Sequence, residues 1–157
     1  MAKASVNLDY KELVKLKEQI MLFGDPTQMD KFFESCAKEL AARLLAKVIK
    51  RTPVGQYPAE TGKKGGTLRR GWTSGENSNA TAFANSLNVT KTGTDYVIDI
   101  INPVEYASYV EFGHRTRNHK GWVEGKFMLT ISEEEIRNSA PKILEKKLKD
   151  YLKGCFK

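Results

Sequence analysis

Cysteine and histidine are scarce in this chain, with two of each among 157 residues. Cys36 and Cys155 lie far apart, each in a helix-like pattern, and neither belongs to a Cys-x-x-Cys pair. No motif therefore supports a disulfide framework or a cysteine metal site, and the reading is of two free, buried thiols suited to a reducing cytoplasm. Long apolar runs are also missing. The longest is Ile20 to Phe23, whereas a membrane-spanning helix needs about 20 residues. Asp9, Lys11 and Glu12 stand where a secretory signal would carry its apolar stretch, so none is expected. There is no nucleophile elbow, no His-Glu-x-x-His and no phosphate loop. Gly62-Lys63-Lys64-Gly65-Gly66-Thr67 has glycines and lysines but lacks the Walker spacing, and no strand leads into it.

What is present is the composition of a globular chain, 40% apolar and 29% charged. A chain of this length forms one domain, or one domain with an arm. Twenty-six Lys and Arg against nineteen Asp and Glu leave a net charge of +7. Its distribution is uneven. Thr73 to Phe112 holds one cation, Lys91, against Glu76, Asp95, Asp99, Glu105 and Glu111. Glu60 to Trp72 carries Lys63, Lys64, Arg69 and Arg70 against Glu60 alone. Gly113 to Lys126 carries Arg115, Arg117, Lys120 and Lys126 against Glu124. Positive charge thus gathers in two loop-like segments and the C-terminal tail.

Periodicity divides the chain. Asp9 to Phe23 reads as a short helix, with Asp9 and Glu12 at capping-box spacing and Leu13, Leu16 and Ile20 on one face. Gly24-Asp25-Pro26 breaks it. Asp25 caps a second helix, with Pro26 in its first turn, where the missing N–H costs nothing. Met29, Phe33, Cys36, Leu40 and Leu44 form its apolar stripe, widened by Phe32, Leu45, Val48 and Ile49. Thr52-Pro53 ends it, because the residue before proline avoids the helical region. Pro53 to Gly66 is a long polar loop. Thr67 to Ser74 reads as a strand. Phe83 to Lys91 and Tyr96 to Ile101 read as an antiparallel hairpin about Thr92-Gly93-Thr94-Asp95. Glu105 to Phe112 suits a short helix ended by Gly113, and His114 to Gly125 is a second polar loop. Ser132 and Glu135 form a capping box that opens a last helix, which Pro141 should kink or divide. The order predicts an α+β fold, a small antiparallel β-sheet packed against the long helix of the N-terminal half and the C-terminal helices. Residues 1–24 form a helical arm, and 25–157 a single domain.

Chemistry-bearing clusters are few. His114 and His119, with Glu111 or Glu124, are the one candidate metal set, and a firm third ligand is lacking. Such a set would suit a metal-dependent nuclease. Arg69 and Arg70 beside Trp72, and Arg115 and Arg117 near Trp122, combine charge with aromatics, which suits a protein interface or a nucleic-acid footprint. No helix-turn-helix, zinc-finger or RNA-recognition signature accompanies them. Lys63, Lys64, Arg69, Arg70, Arg115, Arg117, Lys120 and Trp122 are therefore the candidate interface or channel residues. Phe33, Leu40, Leu44, Trp72, Tyr106, Tyr109 and Phe112 are the candidate core. No catalytic, cofactor or metal residue is assigned, and no enzyme is expected.

Five pieces then stand in a telling order: Thr52-Pro53-Val54; Gly66-Thr67-Leu68-Arg69-Arg70-Gly71-Trp72; the hairpin; the block from Val104 to Gly113 with its basic loop; and Gly125-Lys126-Phe127-Met128-Leu129. Together they resemble the gene-product-10-like family of tail-completion and head–tail joining proteins of long-tailed bacteriophages, over about Asp30 to Lys153. Gly71 stands where that family more often has Ser, Lys126-Phe127-Met128 stands where it often has Pro-Phe-Leu, and Asp9 to Phe23 falls outside the usual core. The resemblance implies a structural virion protein at the top of a phage tail or tail-like particle, as tail terminator, completion or head–tail joining subunit. It implies a homo-oligomeric, sixfold ring that meets tail tube, sheath or neck and connector proteins. The ring would contact DNA in transit without reading its sequence, and would assemble in the host bacterial cytoplasm with no membrane and no cofactor. The competing reading from the basic loops is a nucleic-acid-binding accessory protein. Heterologous contacts closed by rotation make such rings, and polar loops that order on assembly suit a subunit that stays soluble alone.

Overall fold

The computed structural model describes residues 2–5, 24–75 and 79–155. The expected helix Asp9 to Phe23 lies outside these residues. The described elements are β1 (Ala2–Ser5), α1 (Pro26–Arg51), a 3-10 turn (Ala59–Thr61), α2 (Thr67–Gly71), α3 (Ala80–Ser86), β2 (Thr90–Thr92), β3 (Asp95–Val97), β4 (Asp99–Asn102), α4 (Ala107–Phe112), β5 (Gly113–Arg115), β6 (Trp122–Glu124) and α5 (Met128–Cys155). The fold is α+β. Among the described residues no helix is long and apolar enough to cross a membrane.

The long helix α1 starts and stops where its end residues require. The Asp25 carboxylate accepts the Thr27 N–H at 3.0 Å, and Pro26 follows in the first turn. At the other end Thr52 is extended (φ −65°, ψ 125°) ahead of Pro53. Met29, Phe32, Cys36, Leu40, Ala41, Leu44, Leu45 and Val48 are buried at helical spacing. Phe33 is only partly buried, packed against the core cluster.

The last helix, α5, lies antiparallel to α1. Arg51 donates to the Ser132 hydroxyl at 2.6 Å and to Glu135 at 2.7 Å, Lys47 pairs with Glu135 at 2.7 Å, and Lys147 pairs with Glu39 at 2.9 Å. Tyr151 reaches Met29 and Phe32 at the far end. Ser132 and Glu135 do not open this helix: α5 begins at Met128, and both residues clamp it to α1. Ser132 also turns its hydroxyl back to the Met128 carbonyl at 2.6 Å. Nor does Pro141 divide α5. It lies on the exposed side, where water can solvate the carbonyl that loses its N–H partner.

Strands occur as three two-stranded antiparallel ribbons, β1–β4, β2–β3 and β5–β6. One expected strand opens as a helix, and a second is helical at its start and joins the expected hairpin only at Thr90 and Lys91. Thr67 to Ser74 begins with α2, because Arg69, Arg70 and Trp72 find their partners from a helical turn. Most of the segment from Phe83 to Lys91 precedes the ribbon: Asn79 caps α3 by accepting the Ala82 N–H at 2.8 Å, and α3 buries Ala84 on the core. The turn at Thr92 to Asp95 is as expected, but β3 ends at Val97. Strand β4 pairs with β1 rather than continuing that hairpin. Ile98, Ile100 and Asn102 point inward from this stretch.

Two of the ribbons, β2–β3 and β5–β6, lie at opposite ends of the α1–α5 pair. Ribbon β2–β3 sits by the start of α1, where Phe33 stacks on Tyr96 with ring centroids 5.5 Å apart and Lys91 bonds Asp30 at 2.8 Å. Ribbon β5–β6 sits by the start of α5, which lies beside Arg51 at the end of α1. Asp30 and Arg51 are about 30 Å apart along the helix axis at 1.5 Å per residue.

Candidate assembly surface

The first basic segment is anchored by Thr52, which is fully buried. Its hydroxyl donates to the Val48 carbonyl at 2.6 Å and accepts the Trp72 indole N–H at 2.8 Å. Its carbonyl accepts two bonds from the Arg69 guanidinium, at 2.8 and 3.2 Å. A cation thereby meets the negative end of α1. The segments around Thr52 and around Leu68 to Trp72 are thus two halves of one lock. Trp72 is 1% exposed and belongs to the core, as do Leu40 and Leu44. Arg69 is partly buried and engaged there, which makes it a poor contact for an outside partner. Gly71 is required by a close approach: a Cβ on it would lie 2.2 Å from the Asn102 side-chain oxygen. That buried asparagine donates to the Leu68 carbonyl at 2.9 Å and accepts the Val104 N–H at 3.1 Å. Arg70 remains exposed, bonded weakly to the Gly65 carbonyl at 3.3 Å. Lys63 and Lys64 are exposed on the loop beyond the 3-10 turn.

The second segment inverts the expected burial of its block. Glu111 is 1% exposed, whereas Tyr106, Tyr109 and Phe112 are 45%, 58% and 59% exposed. The three aromatics were expected in the core. They recur every three residues, and this spacing sets them on one outward face of the short α4, while Ala107 and Glu111, four apart, share the inward one. The Glu111 carboxylate accepts the N–H groups of Leu129 and Thr130, both at 2.9 Å, and the Thr130 hydroxyl at 2.8 Å. It is therefore the N-terminal cap of α5, supplied from seventeen or more residues upstream in the chain. Sequence spacing gave no signal for a cap so remote.

Between α4 and α5 the chain folds into the β5–β6 hairpin, with Gly113 opposite Glu124, His114 opposite Val123 and Arg115 opposite Trp122. Gly113 takes φ 84°, and a Cβ there would lie 2.5 Å from the Val123 carbonyl. The tip is closed by Thr116, whose N–H donates to the Gly121 carbonyl at 3.0 Å, and by Asn118, which accepts the Lys120 N–H at 3.1 Å. Arg115, Arg117 and Lys120 project into solvent, and Trp122 is 55% exposed. Val123 and Phe127 are exposed nearby, at 43% and 41%. His114 packs edge-on to Tyr109 at 5.7 Å, with its Nδ1 shielded and unpartnered. Glu111 is committed to α5, so it does not join the histidines. Among the described residues no group of three metal-ligating side chains converges.

Both loops leave the helix pair from the same end, because the first starts at Thr52 and the second leads into Met128, beside Arg51. The eight candidate interface residues therefore belong to one end of the molecule. Seven of them face outward, and Arg69 does not.

The family model described as "Bacteriophage HK97-gp10, putative tail-component" matches residues 14–113, more than half of the chain. The chain belongs to this family. As a phage tail component it has a structural role in the virion tail, among other tail or neck proteins, and the family is not one of enzymes. The match takes in the Thr52 lock and all of α4, and it ends at Gly113, where the basic hairpin of this tail component begins. No curated protein and no solved structure matches the chain.

Proposed function

We propose that this tail component is the subunit of a ring at the top of the tail, as tail terminator, completion or head–tail joining protein. The observation that carries this reading is the outward aromatic surface at the hairpin end. Tyr109, Phe112 and Trp122 are each more than half exposed, and exposed aromatics clustered beside arginines mark protein interfaces. The ring is sixfold, its neighbours are tail tube, sheath or connector proteins, and Lys63, Lys64, Arg70, Arg117 and Lys120 offer phosphate contacts to DNA passing through it. Residues 1–24 act as an arm whose first strand, β1, is paired with β4 of the domain formed by 25–157.

The test is light scattering at several concentrations with negative-stain microscopy, alone and on tail tubes. Rings with a central hole are expected. The double variant Tyr109→Ser/Phe112→Ser should keep the folded monomer, since exposed substitutions usually shift stability by under about 0.5 kcal/mol, and should lose the rings. A chain that stays monomeric on its tubes, or a variant that assembles as well as wild type, sinks the proposal.

A further inference from the structure

The second half of α5 carries a row of lysines that the fold itself does not need. Lys142, Lys146, Lys149 and Lys153 are all exposed. Their spacing of four, three and four sets them within about 60° of one another around the helix, in a straight row about 16 Å long. Lys147, beside them in sequence, turns the other way and pairs with Glu39 of α1 at 2.9 Å. The acids on the row are Glu145, which pairs with Lys149 at 2.6 Å, and Asp150, 4.0 Å from Lys153. Both pairs are exposed, and such pairs hold weakly. Lys142 and Lys146 make no ion pair among the described residues. Lys31 and Glu34, exposed on the neighbouring first turns of α1, offset one another. Helix-end electrostatics explain one member of the row. A cation is favoured at the negative end of a helix within its last turn, and there the row has Lys153.

This row differs in kind from the hairpin end. There arginines stand among exposed aromatics, the composition of a protein interface, in which lysine is depleted. Here every cation is a lysine, and among the described residues of α5 no exposed large apolar side chain lies beyond Ile131. Lysines in a row without an apolar centre suit phosphates, which lysine meets as a point charge.

We propose that this row lies along the phosphate backbone of duplex DNA, without reading its sequence. About 16 Å covers roughly five steps of a strand that carries one phosphate per 3.4 Å of axis, so each lysine has a phosphate of its own within reach. The cations offered to DNA at the hairpin end are a separate set, at the other end of α5. The contact belongs to a single subunit and does not depend on the ring reading.

Fluorescence anisotropy with a short labelled duplex of arbitrary sequence, in a salt series, tests this. Four phosphate contacts make affinity fall roughly a hundredfold between about 50 and 200 mM salt, and a duplex of different sequence should bind equally. Neutralising two of them, in Lys142→Gln/Lys146→Gln, should make that fall about tenfold smaller. Circular dichroism and the urea midpoint should not change, because neither lysine has an ion pair to lose. Lys142→Arg/Lys146→Arg should bind as wild type does. An unchanged salt dependence in the glutamine variant would overturn the proposal and leave DNA contact to the hairpin end. So would a wild-type chain that fails to bind duplex at the lowest salt. A glutamine variant that keeps its duplex affinity but no longer joins tail tubes would give the row to an acidic protein surface instead, and the proposal falls. Ring formation, read by negative-stain microscopy, judges the proposed function separately.

Discussion

Trp72 and Trp122 each follow closely on a pair of basic residues, yet the fold treats them oppositely. Trp72 is sealed in the core with its N–H on Thr52, and Arg69 beside it closes the end of α1. Trp122 lies on a two-stranded ribbon with half of its surface in water, and its neighbouring cations point outward. The difference lies in what each tryptophan finds nearby. Trp72 rises from a helical turn facing the end of α1, where a buried hydroxyl and a carbonyl await donors. Trp122 sits on a hairpin too small to have an interior of its own. Composition alone therefore does not separate an anchor from a contact surface; the presence of an inward polar partner does.

The two tryptophans should respond differently to substitution. Trp72→Ala should cost about 3–5 kcal/mol and leave Thr52 short of a donor. Trp122→Ala should change monomer stability by under about 0.5 kcal/mol and act on assembly instead. Urea unfolding of both variants reads the contrast, and equal losses would erase it. Glu111→Ala comes next. It removes three bonds from a buried carboxylate at a helix start, so about 2–3 kcal/mol should go, with protection of the first turn of α5 lost in hydrogen exchange. An unchanged midpoint would mean that the cap is not needed. The smallest effect concerns Glu39. Its hydrogen bond to Lys147, helped by Arg43, holds its carboxyl below the ordinary value of 4.5. A depressed carboxylate stabilises the fold fully above its unfolded value, and that contribution fades as pH falls from 4.5 through the lower folded value. Glu39→Gln should thus flatten the stability profile in acid by less than about 1 kcal/mol, measured as urea midpoints at neutral and acid pH.

Much of the helical frame was legible, because α1 follows rules that act within a few residues. Asp25, Pro26 and Pro53 mark its ends, and the stripe from Met29 to Val48 marks its buried face. The short helix before Gly113 was legible for the same local reason. The misread elements depend on distant partners. Leu68 and Trp72 alternate like a strand, but Thr52 and Asn102 draw that segment into a helical turn. Ser132 and Glu135 have the spacing of a cap, but Arg51 and Lys47 claim them from another helix. The clearest inversion is the block from Tyr106 to Phe112. Apolar character argued for burial of its aromatics, and nothing local revealed that the inward place was taken by a carboxylate bound for α5. For the candidate surface, the cationic loops were visible as charge, while their convergence on one end depends on the antiparallel pairing of α1 with α5.

The grip of Glu111 on α5 also makes the molecule a lever. Its carboxylate joins the base of the hairpin to the first turn of a 28-residue rod, about 40 Å long at 1.5 Å per residue. A load on the hairpin is delivered to that rod at its tip, and the rod is braced at its other end where Tyr151 rests on Met29 and Phe32. The hairpin and the far end of the subunit are thus joined by one continuous helix held at both of its ends.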